Sequence, residues 1–157
     1  MSMGEVIFAS AKDSEVMHRD DHPGYEFYRH DLVPTQKAEM CTMGLYEVPP
    51  GKSAYPYHYH LKNEEVFYII SGKGLLRTPK GERVVGPGES VFFPTGEAGA
   101  HKITNISDTE TLVYLDFDVR PDLDVCLYPD SGKVGIWGRG VRELHKVDAQ
   151  VGYYDGE

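Results

Sequence analysis

The sequence predicts an all-β domain in which short strands form a sandwich or a barrel. Between residues 25 and 118, short apolar or alternating runs are interrupted at close intervals by Gly, Pro and Asn. No stretch keeps a 3.6-residue apolar period for more than two turns, so no long amphipathic helix is expected. Many short strands with frequent turns are typical of β-sandwiches and β-barrels.

Nine strands are expected in this region because each run is bounded by residues that favour turns. They cover residues 26–30, 40–48, 53–58, 65–70, 74–78, 82–85, 90–93, 101–105 and 111–118. Residues 1–24 are polar and predict an irregular N-terminal extension. Residues 124–128 and 133–137 flank the turn at 129–132 and predict a C-terminal hairpin, which is followed by a polar segment.

Length and charge limit the class of protein. A chain of 157 residues is long enough for one domain with its own core, which we place at about residues 40–120. With 16 basic and 25 acidic side chains and a net charge of −9, it shows no basic face for nucleic acid or anionic membrane. No apolar run has the length of a membrane span and no signal peptide is evident, so we expect a cytoplasmic protein.

Two segments carry side chains that bind metal ions in proteins. His58 and His60 are two positions apart on an extended segment, so both project from the same face. The turn after them ends in Glu64 and Glu65, and strand parity alone does not choose between these carboxylates. His101 begins a later strand that can lie beside the histidine pair in a barrel. Neutral imidazoles with one carboxylate suit a borderline divalent cation.

The first of these segments resembles the first motif of the cupin superfamily. Gly51 is followed after six residues by His58 and His60, then after four by Glu65 and after six more by Gly72. The six-residue step to Gly72 selects Glu65 over its neighbour. Gly51 is one residue further from His58 than the usual cupin pattern.

The second segment resembles the second cupin motif. Five residues separate Gly88 from Pro94, Gly96 follows, and four residues separate Gly96 from His101, with Asn105 further along. The family commonly has two residues between this glycine and the histidine, so the insertion alters the edge of the site. The C-terminal part of the chain through residues 129–137 is also similar to a group of single-domain bacterial cupins, some of which carry sugar-phosphate isomerase labels.

The resemblance implies a double-stranded β-helix, that is, a cupin or jelly-roll barrel, as a single domain over residues 1–157. It also implies that His58, His60, Glu65 and His101 ligate one divalent transition metal: Mn, Fe, Zn, Ni or Co. Four protein ligands on an octahedral ion would leave two adjacent positions for substrate, water or dioxygen.

Three functions are compatible with such a site. The first is an isomerase or epimerase of a sugar or sugar phosphate, in which the ion stabilises charge formed on proton removal. Glu64 is then a candidate base, Tyr55 a candidate residue at the mouth, and Arg77, Lys62 and Lys102 are candidates for holding a phosphate. The second is an Fe(II)-dependent dioxygenase. The third is a non-catalytic module that binds a small molecule.

Two runs are apolar on both faces, which predicts a second layer or a partner subunit. Residues 66–70 and 91–93 lack the polar alternate positions that a strand exposed on one side would show. One face of each strand would fill the barrel, and the other needs a cover. We therefore expect a homodimer.

Overall fold

The computed structural model describes residues 6–157, and nearly all of its regular structure is β-strand. Within these residues a single short 3-10 turn, η1 (Glu97–Gly99), lies between strands. The strands are β1 (Val16–His22), β2 (Tyr25–Val33), β3 (Cys41–Val48), β4 (Tyr59–His60), β5 (Glu65–Ser71), β6 (Gly74–Thr78), β7 (Gly81–Val85), β8 (Ser90–Phe93), β9 (Lys102–Asn105), β10 (Leu112–Val119), β11 (Leu123–Tyr128), β12 (Lys133–Gly138) and β13 (Val141–Lys146). Within this part of the chain, no helix has the length and apolar character needed to cross a membrane.

The strands form two facing layers. One layer is a six-stranded sheet in the order β1-β2-β3-β10-β5-β8. The other contains β7-β6-β9 and β13-β12-β11-β4, which are joined by antiparallel bridges between Ser53 and Thr104 and between His58 and His101. All strand pairs are antiparallel, and neighbours in each sheet are often distant in sequence. This is the predicted double-stranded β-helix, with the hairpin extension at its N-terminus and the hairpin at its C-terminus.

Strict alternation in the central strands builds the core between the layers. In β3 every second residue is buried, and β5 and β10 begin with the same pattern. The buried apolar cluster draws on both layers and comprises Phe27, Tyr46, Val48, Ala54, Phe67, Ile69, Leu76, Val85, Phe93, Ile103, Leu112 and Tyr114. Burial of this apolar surface is the main favourable contribution to folding.

Most expected strands are found within one to three residues of their predicted ends, and the exceptions have physical reasons. Residues 1–24 were expected to be irregular, yet β1 pairs with β2 although all its residues are exposed. Strand β13 is exposed too, and so neither strand shows an apolar face in the sequence. Residues 53–58 were expected to form a strand, but they make only isolated bridges at Ser53 and His58. Pro56, which has no N–H donor, interrupts that ladder.

Two glycines of the first motif allow a test of the loop geometry. Gly51 and Gly72 both have positive φ, at 74° and 79°, which disfavours any residue with a Cβ. A Cβ on Gly51 would meet nothing within 4 Å, whereas a Cβ on Gly72 would lie 2.6 Å from the Thr111 carbonyl oxygen. Gly72 therefore carries a packing constraint in addition to the conformational one.

We expect Gly72→Ala to destabilise the protein more than Gly51→Ala. The matched Gly51→Ala variant should cost about 1–2 kcal/mol because only the left-handed conformation opposes it. Gly72→Ala should lose about 1–3 kcal/mol more, since the backbone of the neighbouring strand must move. Urea unfolding of both variants measures the difference, and equal losses would show that the close approach at Gly72 is not tight.

Candidate metal centre

The histidine pair meets His101 where the two halves of the second layer join. The backbone N–H of His58 donates to the His101 carbonyl at 3.1 Å, and that of His101 donates to the His58 carbonyl at 2.8 Å. His60 pairs with Cys126 at the end of β4. The ring centroid of His58 lies 4.7 Å from that of His101 and 5.1 Å from that of His60. The early and late segments thus converge as expected.

Strand parity in β5 brings Glu65 to the same place. Glu65 is the first residue of β5 and is buried on the same face as Phe67 and Ile69, whereas Glu64 is exposed. The Oε2 atom of Glu65 lies 3.4 Å from Nε2 of His101 and 3.7 Å from Nε2 of His60. His58, Glu65 and His101 offer donor atoms within 4.8 Å of one another.

Hydrogen bonds at Nδ1 set the tautomers of two imidazoles. Nδ1 of His58 contacts the Pro56 carbonyl oxygen at 2.8 Å, and Nδ1 of His101 contacts the Gly99 carbonyl oxygen at 2.9 Å. A carbonyl oxygen only accepts, so each Nδ1 must carry the proton. In the neutral rings, each Nε2 then presents a lone pair toward the centre.

The third imidazole is held by Asp124. Nδ1 of His60 donates to the Asp124 carboxylate, whose other oxygen accepts from the backbone N–H of Lys62 at 2.9 Å. Burial alone would raise the pKa of Asp124, but these hydrogen bonds outweigh it and hold the pKa below its usual value. A carboxylate behind a histidine is the arrangement that orients metal-binding imidazoles in many proteins.

Burial favours the uncharged forms of His58, Glu65 and His101 in the absence of a cation. Desolvation lowers the pKa of His101 to about 4, against the hydrogen bond to Gly99 that favours the charged ring. Desolvation and the neighbouring histidines lower the pKa of His58 well below its usual value. Desolvation and then the charges of Asp116 and Asp118 raise the pKa of Glu65 well above its usual value. A bound positive ion would favour the carboxylate form of Glu65 and the neutral form of both imidazoles.

The donor set fits a divalent transition ion. Nε2 of His101 is buried and has no hydrogen-bond partner among residues 6–157, although a carboxylate oxygen lies 3.4 Å away. Two facing acceptors repel unless a proton or a cation lies between them. Three imidazole nitrogens and one carboxylate suit the ions from Mn to Zn without choosing among them.

Four further residues at this centre were not predicted from the sequence. Asp116 is buried on β10 and its Oδ1 has no hydrogen-bond partner in the described chain, while Oδ1 of Asp118 accepts from Asn63 at 2.7 Å. Donor atoms of Cys126 lie within 4.8 Å of those of the histidine pair. The fourth is Asp124. Alternation along β10 could have revealed Asp116, because it continues the inward face of Leu112 and Tyr114.

A cavity of about 500 Å³ opens beside the centre. One of the two predicted catalytic residues lines it and the other does not. Tyr55 lines the cavity, and its hydroxyl lies 3.2 Å from that of Tyr46. Burial raises the pKa of Tyr55, which keeps the phenol protonated. Glu64 is exposed and does not line the cavity, so the structure does not bring it to the centre.

The expected phosphate-holding side chains lie elsewhere. Arg77, Lys62 and Lys102 are not among the residues that line the cavity. Arg77 instead forms an ion pair with Asp130 and lies over the ring of the buried Tyr57. The basic residues that do line the cavity are Arg29, Arg120, Arg139 and Arg142.

Comparison with known proteins agrees with this architecture. Residues 44–118 match the family model of the cupin domain. A search of curated proteins finds no match.

Three solved structures illustrate the similarity. A protein from Acidithiobacillus ferrooxidans, proposed to be a sugar phosphate isomerase, is 29% identical, with a TM-score of 0.80 over 94% of this chain and 97% of that one. A cupin described as a sugar phosphate isomerase, from Silicibacter pomeroyi, is 19% identical, with a TM-score of 0.82 over 95% and 98%. The polyketide cyclase RemF from Streptomyces resistomycificus is 26% identical, with a TM-score of 0.62 over 73% and 80%.

Proposed function

Residues 44–118 form a cupin domain, and on that premise we propose that the chain is a divalent-metal-dependent isomerase or epimerase of a small sugar or sugar phosphate. The observation that carries the proposal is the set of Nε2 lone pairs that faces Glu65 next to the cavity. The similarity to the Acidithiobacillus ferrooxidans protein supports the choice of reaction and substrate.

In this proposal His58, His60, Glu65 and His101 hold the ion. When bound, such an ion supplies Lewis-acid stabilisation for negative charge that develops on a carbonyl or hydroxyl oxygen. The protein prepares the site by fixing the imidazole rings before any ion arrives, since each Nδ1 already has its partner. Little reorganisation is then needed on binding.

Asp116 is the side chain we assign to proton transfer. It lines the cavity, and its buried Oδ1 has no hydrogen-bond partner within residues 6–157, so this atom can accept a proton from a carbon or hydroxyl of the substrate. Burial and then the charge of Asp118 raise its pKa, against the opposing charge of Arg29. In its deprotonated form, which a bound cation would favour, a carboxylate with a raised pKa is a stronger base than an ordinary one.

Tyr55 is the side chain we assign to substrate orientation. Its ring lies near His58, with centroids 6.2 Å apart, and its phenol is protonated because burial raises its pKa. The Tyr46 hydroxyl fixes the position of the Tyr55 hydroxyl. A fixed donor at the cavity wall can hold a substrate hydroxyl or carbonyl oxygen in place.

Substituting Glu65 and Glu64 one at a time should distinguish the glutamate that binds the ion from the one that does not. We expect Glu65→Gln to lower divalent-ion affinity by at least about 10–100-fold, since the buried carboxylate faces two imidazoles. The matched Glu64→Gln variant, at an exposed position directly before β5, should keep its metal content. Elemental analysis and calorimetric titration measure both, with circular dichroism as a check on folding. Equal losses in the two variants would refute the ligand assignment.

The reaction can be tested directly with the metal-loaded protein. We expect conversion within a panel of aldoses, ketoses and their phosphates, together with solvent deuterium at the carbon next to the carbonyl. Asp116→Asn should slow conversion per bound ion by about 100-fold or more because the proton acceptor is lost. Glu64→Gln should not.

Other outcomes of that experiment would contradict the proposal. Oxygen consumption that depends on ferrous ion, without sugar conversion, would identify a dioxygenase. Saturable sugar binding without turnover on any substrate would identify a binding module.

We further propose that a second copy of the chain covers the outer face of the six-stranded sheet. Tyr68, Ile70, Phe92 and Phe117 are 45%, 43%, 56% and 39% exposed there. Cross-strand register places Val66 between Phe92 and Phe117, so the apolar side chains form a continuous patch. Patches of this kind mark interaction surfaces. Light scattering should give a dimer that Phe92→Glu weakens, and a strict monomer at micromolar concentration would exclude it.

A further inference from the structure

We propose that the β12–β13 hairpin is an anion-binding subsite at the mouth of the cavity, where Arg139 and Arg142 hold the phosphate or carboxylate group of the substrate. The inference rests on the proposed function for the part of the substrate that reaches the metal centre. It assigns the recognition of the charged group to residues outside the segment 44–118 that defines the cupin domain.

The cavity is polarised between its inner end and its mouth. Its inner end contains His58, His60 and the buried carboxylates Glu65 and Asp116. Arg139 and Arg142 line the same cavity but are exposed, which places them at its mouth, where the acidic residues Glu39 and Asp122 are exposed as well. A substrate with hydroxyl or carbonyl groups at one end and an anionic group at the other matches this order of charges.

The turn of the hairpin presents the two arginines together. The pairing of Trp137 with Arg142 and of Gly138 with Val141 leaves Arg139 and Gly140 as a two-residue turn. Gly140 has a φ of 80°, a conformation that suits glycine in such a turn. Arg139 thus projects from the tip, and Arg142 projects from the following strand.

Both guanidinium groups are available to a ligand. Arg142 lies over the indole ring of Trp137, 5.4 Å from its centroid, and forms no ion pair within the described chain. A guanidinium stacked in this way keeps its in-plane N–H donors free. Arg139 contacts Asp122 through Nε at 3.2 Å, with side chains 74% and 87% exposed. An exposed pair of this kind is weak, so an anion can compete for the remaining donors.

The other two arginines of the cavity are already engaged. Arg29 forms an ion pair with Asp31. Arg120 donates through Nη1 to the carbonyl oxygens of Thr35 and Ala38, which fixes that loop. Arg139 and Arg142 are therefore the cavity arginines whose N–H donors remain available to a ligand at the mouth.

The subsite has a built-in reporter, because Trp137 is the single tryptophan of the chain. Metal-free wild-type protein is titrated with inorganic phosphate, with acetate and with chloride at constant ionic strength, while Trp137 fluorescence is followed. The metal-free form is used because phosphate could otherwise bind the ion directly. We expect a saturable change with phosphate or acetate and none with chloride. The stronger of the two responses identifies the anion class.

Three variants test the assignment. Arg139→Gln and Arg142→Gln should each raise the dissociation constant by roughly tenfold, as expected for loss of a charge-assisted hydrogen bond. Arg83→Gln is the matched control, because Arg83 is 75% exposed and pairs with Glu89 away from the cavity. Its dissociation constant should be unchanged.

Absence of a saturable change in the wild type, or equal weakening in Arg83→Gln, would overturn the inference. These titrations involve neither a metal ion nor turnover, so their outcome does not decide the proposed metal binding, which has its own tests. Anion binding without sugar conversion would count against the proposed reaction alone.

Discussion

Three hydrogen bonds from imidazole Nδ1 atoms determine how the interior of this barrel can be used. Two end on backbone carbonyl oxygens, at Pro56 and Gly99, and the third ends on the carboxylate of Asp124. With Nδ1 committed, the neutral rings can only present lone pairs at Nε2. Desolvation, and then the charges of Asp116 and Asp118, raise the pKa of Glu65, and Nε2 of His101 has no hydrogen-bond partner within residues 6–157. A cation in this interior would interact favourably with both groups.

The fold supplies these partners from distant parts of the chain. The bridge between His58 and His101 joins the two halves of the second layer, and Asp124 comes from the strand beside β4. Parity in β5 adds Glu65 from the opposite layer. A centre built from four segments on rigid strands holds its donors more precisely than a loop would.

Much of the fold and the donor set could be predicted from the sequence, and several of the features that were not predicted share a cause. Strand positions followed from apolar alternation, and Gly72 selected Glu65 where local geometry did not. The positions of Asp124 and Cys126 at the centre could not be predicted because these residues reach it only through the pairing of β11 with β4. The exposed strands β1 and β13 have no apolar face to reveal them. Each of these features depends on pairing between strands, which short sequence patterns do not encode.

Nitrogen NMR spectra of the three histidine side chains, recorded on metal-free protein and again after addition of Zn²⁺, test most directly whether the Nε2 atoms form a metal centre. We predict that His58, His60 and His101 carry their proton on Nδ1 in the metal-free state, and that Zn²⁺ shifts the Nε2 resonance of all three together. A proton on Nε2 in the metal-free protein, or Nε2 resonances that Zn²⁺ leaves unchanged, would contradict it.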